Sequence, residues 1–171
     1  MRVSLPGSMR GYCGIGIFDV KTDVNIGTLW RSAFAMGASH IFAIGKRYKA
    51  QASDTVKAHR HIPFFEYLTF EDFYEHIPKE ARLVGIEIIP TAIELQKYKH
   101  PEQAVYLLGA EDYGLPERIL AKCHEVVSIP STYCLNVAVA GSIVLYDRIL
   151  KHVRLDAPSV AQGREKRGTE Q

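Results

Sequence analysis

The sequence is short of several things that would have fixed its class at once. It holds only three cysteines in 171 residues, Cys13, Cys123 and Cys134. An odd, sparse set cannot form a disulfide framework, so reduced thiols and a cytoplasmic setting are the expectation. No apolar run approaches the roughly 18 to 20 residues needed to span a bilayer. The opening Met-Arg-Val-Ser-Leu-Pro-Gly-Ser carries no apolar stretch of signal-peptide length. An excess of one charge is missing too. Lys+Arg 21 against Asp+Glu 19 leaves +2, so any nucleic acid would be held by a local patch. There is no internal repeat. Gly14-x-Gly16 stands without the rest of a dinucleotide fingerprint, and no Lys-Ser/Thr pair follows a glycine run. A Gly-x-Ser-x-Gly nucleophile elbow is absent as well. His59 and His61 alternate with no nearby Cys or carboxylate to complete a ligand set, so no metal site is expected.

What is present is the composition of an ordinary globular domain, 47% hydrophobic and 23% charged, long enough for a core without covalent staples. Strand-like runs fall at residues 12–18, 40–44, 63–67, 83–89, 105–108 and 126–129. Helical patterns fall between them, from Asp23 or Asn25 as cap to about Met36, over 69–77, after Leu115-Pro116-Glu117, and from Asn136 onward. Residues 92–97 read as one or two helical turns. This rhythm predicts an α/β fold with a mostly parallel sheet flanked by helices. One domain over 1–154 and a disordered tail over 155–171 are expected, the tail from its Asp, Ala, Pro, Ser, Gln, Gly and charged composition.

The most distinctive stretch runs from Ile129 to Asp147. A strand ending at Ile129-Pro130 breaks into a short polar turn, and Asn136 is a suitable N-cap for the helix that follows. From Val137 to Leu145 nearly every residue is apolar or small, which predicts a helix buried on two sides, by its own core and by a partner. Three polar constellations lie at strand ends or helix starts, where open α/β sheets bind ligands. They are Asn25-x-Gly27-x-x-x-Arg31, Gly109-x-Glu111-x-x-Gly114-Leu115, and the turn before Asn136. Taken singly, a capped helix with a solvated Arg or a routine βα turn explains each as well. The basic run Lys46, Arg47, Lys49, Lys57 and Arg60 reads either as a solvated loop or as a phosphate-binding patch.

In this order the three motifs resemble those of the SpoU/TrmH branch of the SPOUT RNA methyltransferases, over roughly residues 12–150. The third is carried by Ile129-Pro130 and Leu135-Asn136-Val137-Ala138. The resemblance implies a C-terminal trefoil knot, against the general rarity of knots, and a homodimer. It implies S-adenosyl-L-methionine as cofactor and a ribose 2′-hydroxyl of RNA as acceptor, with tRNA favoured over rRNA. By the same resemblance the cofactor would lie against Glu87, Leu108, Gly109, Gly114, Ile129, Pro130, Cys134, Leu135 and Ala138. Arg31 would stand beside the reacting ribose, held by Asn25. A guanidinium stays protonated in proteins, so gripping phosphate and stabilising a nascent alkoxide suit it better than acting as base. Glu111 would orient the loop or the RNA, and Asn136 would brace the turn. Two departures stand out: the turn Ser131-Thr132-Tyr133-Cys134 is several residues shorter than in many relatives, and Cys134 takes the place of a Ser. A catalytically inactive RNA-binding protein, or a small-molecule-binding α/β domain, are the competing readings.

Overall fold

Among the described residues, alternating strand and helix resolve into one sheet of seven strands, every adjacent pair parallel. The computed structural model describes residues 11–45, 60–110 and 112–152. The expected tail, Glu111, and the basic residues Lys46, Arg47, Lys49 and Lys57 lie outside the described residues. In chain order the elements are β1 (Tyr12–Phe18), α1 (Asp23–Ala35), β2 (His40–Ile44), β3 (Phe64–Tyr67), α2 (Phe70–His76) and β4 (Arg82–Ile86). There follow β5 (Ile93–Glu94), β6 (Gln103–Leu108), α3 (Glu117–Leu120), β7 (Glu125–Ser128) and α4 (Val137–His152). The sheet order is β3-β2-β1-β6-β4-β7-β5.

The central strand β6 shows why the sheet is covered on both faces. Successive side chains of a strand point to opposite faces. Ala104, Tyr106 and Leu108 therefore join the cluster under α1 and α4, while Val105 and Leu107 join the one under α2 and α3. All five are buried, which explains a continuous apolar run in place of an alternating one. In β2, Ile41 and Ala43 face α1, and Phe42 and Ile44 face α2. There Phe42 stacks on Phe73 at 4.5 Å between ring centres.

Helices α1 and α4 lie against each other as well as on the sheet. Gly141 marks the closest point: a Cβ built there would come within 2.5 Å of Leu29 Cδ1. Ser142 Oγ donates to Ser32 Oγ at 2.8 Å, and Ile26, Leu29 and Ala33 meet Val137, Ala138 and Val144 in one buried cluster. α4 is buried along this face only. Val139, Tyr146 and Leu150 are exposed on the other side of the single chain.

Three boundaries differ from the sequence expectation. Helix α1 begins at Asp23, with Thr22 in the cap position and no side-chain cap bond; Asn25 lies within the first turn and is buried. β4 stops at Ile86, short of residue 89. The Glu87 carboxylate turns back there to accept from its neighbour's amide, and the next residue, Ile88, is exposed. Residues 92–97 form the short strand β5 and a single 3₁₀ turn, Leu95–Lys97. Leu95 and Tyr98 are its buried anchors, and Lys151 of α4 donates to the carbonyls of both, at 2.6 and 3.0 Å.

Candidate functional site

Because β6, β4 and β7 are adjacent and parallel, Leu108, Ile86 and Ser128 end at one edge of the sheet. The loops leaving them enclose a half-open cavity of about 270 Å³. That is near the lower end of small-ligand sites, roughly 300 to 1,000 Å³. Ile86, Glu87 and Ile88 form its floor, and Leu108 to Ala110 with Asp112 to Gly114 form one wall. Ile129, Ser131, Cys134 and Leu135 form the other, closed by Val137 and Ala140 of α4.

The wall after β6 is built from backbone. Gly114 has φ +60, a conformation other residues adopt only with strain. A Cβ on Gly109 would stand 2.2 Å from the Gly114 carbonyl carbon, so two stretches of main chain touch there. The Glu87 carboxylate pins this arrangement. One oxygen accepts from Leu115 N at 2.7 Å, and the other accepts from Ile88 N at 2.9 Å. The family resemblance named Glu87 as a cofactor contact; its bond to an amide 28 residues away had no sequence signal. On the same wall Lys21 pairs with Asp112 and stands over the Tyr113 ring, 5.9 Å from its centre.

The opposite wall leads into α4, and here the Asn136 cap is present as the sequence suggested. Its Oδ1 accepts from Ala138 N at 3.0 Å and from Val139 N at 3.4 Å. Its Nδ2 donates to Asn25 Oδ1 at 3.0 Å, tying the starts of α4 and α1 together across 111 residues.

Among the cofactor candidates, Glu87, Leu108, Gly109, Gly114, Ile129, Cys134 and Leu135 line the cavity. Pro130 and Ala138 do not. Pro130 is exposed outside it, and Ala138 is fully buried in the core between α1 and α4. Residues 137 and 140 share a helix face, whereas 138 sits about 100° round the axis from 137. Ser131, Asp112, Tyr113, Val137 and Ala140 were not among the candidates; with polar loops and small side chains, only the fold brings them in. Of the catalytic candidates, Asn25 and Asn136 are in contact. Arg31 is exposed on α1, outside the cavity lining. Asn25 does not hold it: among the described residues Arg31 has no side-chain hydrogen bond or ion pair, and Asn25 faces Asn136. Arg60 is exposed beside the undescribed basic run. Among the described residues no group of three His, Cys, Asp or Glu side chains could hold a metal ion, and no helix is long and apolar enough to cross a membrane.

A second polar cluster, unforeseen from the sequence, lies at the other end of α4. Arg148 is buried at 2% exposure. It donates to the carbonyls of Pro101 and Glu102 at 2.6 and 2.7 Å, and to the Tyr106 hydroxyl at 3.1 Å. Tyr106 meets His100 Nδ1 at 2.6 Å, and His100 Nε2 meets Asp147 at 2.8 Å. Asp147 in turn pairs with Lys151. Burial lowers the His100 pKa to about 4, although Asp147 pulls it upward. A neutral imidazole with its proton on Nε2 then accepts from Tyr106 and donates to Asp147, satisfying every member of the chain.

Comparison with known proteins is consistent with this geometry. A family model described as the SpoU rRNA Methylase family matches residues 14–146. The 23S rRNA (guanosine-2′-O-)-methyltransferase RlmB of Acinetobacter baylyi is 28% identical over 135 residues, covering 72% of this chain and 53% of its own length. The AdoMet-bound rRNA methyltransferase structure from Sinorhizobium meliloti superposes with TM-score 0.71 at 25% identity, over 81% of this chain and 56% of that one. A structure concerned with 2-OH methylation of C/U34 on tRNA gives TM-score 0.71 at 23% identity, over 82% of this chain and 96% of that one. The chain therefore spans about half the length of the first two proteins.

Proposed function

The chain belongs to the SpoU rRNA methylase family, and on that premise we propose that it transfers a methyl group from S-adenosylmethionine to a ribose 2′-hydroxyl of RNA. The observation that carries the reading is the cavity at the ends of β4, β6 and β7, lined by the apolar side chains of Ile86, Leu108, Ile129, Leu135 and Val137 between backbone turns. Flat apolar walls with main-chain partners at their edges suit an adenosyl group. The mouth is half open, so an acceptor could reach a cofactor seated there. The donor set fits the cofactor, with Glu87 holding the Gly114–Leu115 turn against which it would rest.

When bound, S-adenosylmethionine supplies an electrophilic methyl group, so the chain has three tasks. It seats the donor, aligns the ribose oxygen, and stabilises charge on that oxygen as its proton leaves. Arg31 is assigned the last task as a permanent cation. Its place outside the lining of its own chain's cavity supports a homodimer, in which a second copy's α1 would complete the site. The exposed stripe Val139, Tyr146 and Leu150 on α4 supports the same assembly. The trefoil threading of the C-terminal part belongs to this reading, as does an RNA grip by Arg60 and the basic run before it. A tRNA acceptor draws on the likeness to the C/U34 structure, matched over 96% of that chain; an rRNA acceptor draws on RlmB.

The test has two parts. Nucleoside mass spectrometry of fractionated tRNA and rRNA from cells with and without the gene should show one 2′-O-methyl nucleoside missing. An unchanged profile under expressing conditions refutes the activity. Arg31→Ala should abolish transfer and leave S-adenosylmethionine affinity within about twofold, as expected of a group acting mainly on the transition state. Full turnover in that variant removes Arg31 from the mechanism. The short Ser131–Cys134 turn favours one competing reading, an RNA-binding protein without transfer activity. Absence of calorimetric binding at millimolar S-adenosylmethionine would select it.

A further inference from the structure

The mouth of the cavity carries two aromatic rings that the fold leaves bare. Tyr113 and Tyr133 are each 83% exposed, more than any other large hydrophobic side chain among the described residues. Tyr113 stands on the loop after β6 and itself lines the cavity. Tyr133 stands on the turn after β7, flanked by the lining residues Ser131 and Cys134. In the sheet β4 separates β6 from β7, so the two loops spring from points about 10 Å apart, twice the strand spacing.

Tyr113 is also held in place. Asp112 pairs with Lys21, and the Lys21 ammonium lies over the Tyr113 ring, while Gly114 fixes the following turn at φ +60. Neither hydroxyl has a hydrogen-bond partner among the described residues. What makes the two bare rings informative is their place, on the two loops that flank one cavity. A ring with a cation beside it is the combination that holds an unpaired nucleobase: stacking for the base, charge for its phosphate.

Resting on the methyltransferase reading above, we propose that Tyr113 and Tyr133 form a stacking clamp for unpaired bases at the target nucleotide. The acceptor is thereby an RNA loop or single strand, and paired helices are excluded. Selectivity for unpaired RNA comes from the rings, and cofactor affinity does not depend on Tyr133, which lies outside the cavity lining.

The experiment uses the full chain, a fluorescein-labelled stem–loop RNA, a fully paired duplex of the same composition, and S-adenosylmethionine. Wild-type protein should bind the stem–loop more tightly than the duplex. Tyr113→Ala and Tyr133→Ala should each weaken stem–loop binding by about tenfold. Duplex binding and the salt dependence should stay as in wild type in both, and the calorimetric affinity for S-adenosylmethionine should stay as in wild type in Tyr133→Ala, whose side chain lies outside the cavity lining. Tyr113→Phe and Tyr133→Phe should keep wild-type affinity, since the ring is what stacks. Both side chains are outside the core, so thermal melting should stay as in wild type and confirm folded variants.

Several results would overturn the proposal. Stem–loop affinity unchanged in both Ala variants would, as would an equal loss on the duplex. A fall in S-adenosylmethionine affinity in Tyr133→Ala would make the rings a cover for the cofactor, and a dimer turned monomer on size-exclusion would give them to a second copy of the chain. If wild-type protein binds neither RNA nor S-adenosylmethionine, the methyltransferase reading falls first and this one with it. If it binds and methylates RNA while the Ala variants are indifferent, only the clamp fails.

Discussion

Glu87 is where a single substitution tests most of the site's construction. Its two carboxylate oxygens accept from Leu115 N at 2.7 Å and Ile88 N at 2.9 Å. The first bond fixes the wall in which Gly109 and Gly114 touch. Hydrogen bonds to a charged acceptor contribute roughly 1.5 to 3 kcal/mol each, less where water can replace the partner. The Leu115 bond is partly buried and the Ile88 bond exposed, so the first should dominate. Glu87→Gln keeps one acceptor oxygen and turns an amide donor toward the other N–H, for an expected loss of about 1 to 2 kcal/mol. Glu87→Ala removes both acceptors and should lose about 2 to 4 kcal/mol. Urea unfolding followed by circular dichroism reads these values, and calorimetry with S-adenosylmethionine reads the site. Affinity should fall with stability, in the order wild type, Gln, Ala, because the wall that would seat the ligand loses its tether. A Glu87→Ala protein with wild-type stability and wild-type affinity would refute the bracing role. A stable protein that has lost affinity would mean instead that the carboxylate contacts the ligand directly.

Two further outcomes follow from the ends of α4. Asn136→Ala removes the acceptor for the Ala138 and Val139 amides and the bond to Asn25, and should lower stability by about 1 to 2 kcal/mol in urea titration; Asn136→Asp should recover the cap but not the donation to Asn25. The His100 pKa, lowered by burial from 6.5 to about 4, makes the folded state favour the neutral ring. Its contribution is complete above pH 6.5, is lost as pH falls toward 4, and is flat below that, amounting to at most about 3 kcal/mol. Denaturant midpoints measured across that window should fall in wild type and fall less in His100→Gln; equal slopes would remove His100 as the acid-sensitive group.

Much of the fold was legible because it is written in local patterns. Continuous apolar runs such as Val105–Leu108 mark strands covered on both faces, and the apolar spacing of Phe70 and Phe73 marks a helix within 69–77, to which the structure adds a cap, the Thr69 hydroxyl accepting from Asp72 N. The α/β class and parallel sheet follow from that rhythm. What failed were features decided by partners distant in the chain. β4 ends at Ile86 because Glu87 reaches an amide near α3, and no local preference encodes that. Asn25 looked like a cap by composition, yet its side chain is committed to Asn136 on another helix. Pro130 and Ala138 were placed at the cavity by the family resemblance; for Ala138 helix phase decides otherwise, turning it to the core while Val137 and Ala140 face the cavity. The His100–Arg148 cluster joins the 100–102 loop, Tyr106 of β6 and the end of α4, and its sequence trace was the polar residues at positions 147, 148, 151 and 152 closing a helix that is otherwise mostly apolar.

That trace gives α4 a structural logic the motif alone did not supply. The first turn of the helix contributes Val137 and Ala140 to the cavity and fixes its own start through Asn136. Eleven positions on, roughly 16 Å at 1.5 Å per residue, Arg148 grips carbonyls at the entrance to β6, and Lys151 grips the 3₁₀ turn after β5. A helix of small and apolar residues can slide or rotate on a sheet at little cost, since each alternative register still buries carbon. Charged hydrogen bonds at one end and a side-chain cap at the other allow only one register. The buried polar cluster therefore serves the cavity without touching it, because it holds Val137 and Ala140, and not the adjacent Ala138, against the ligand site.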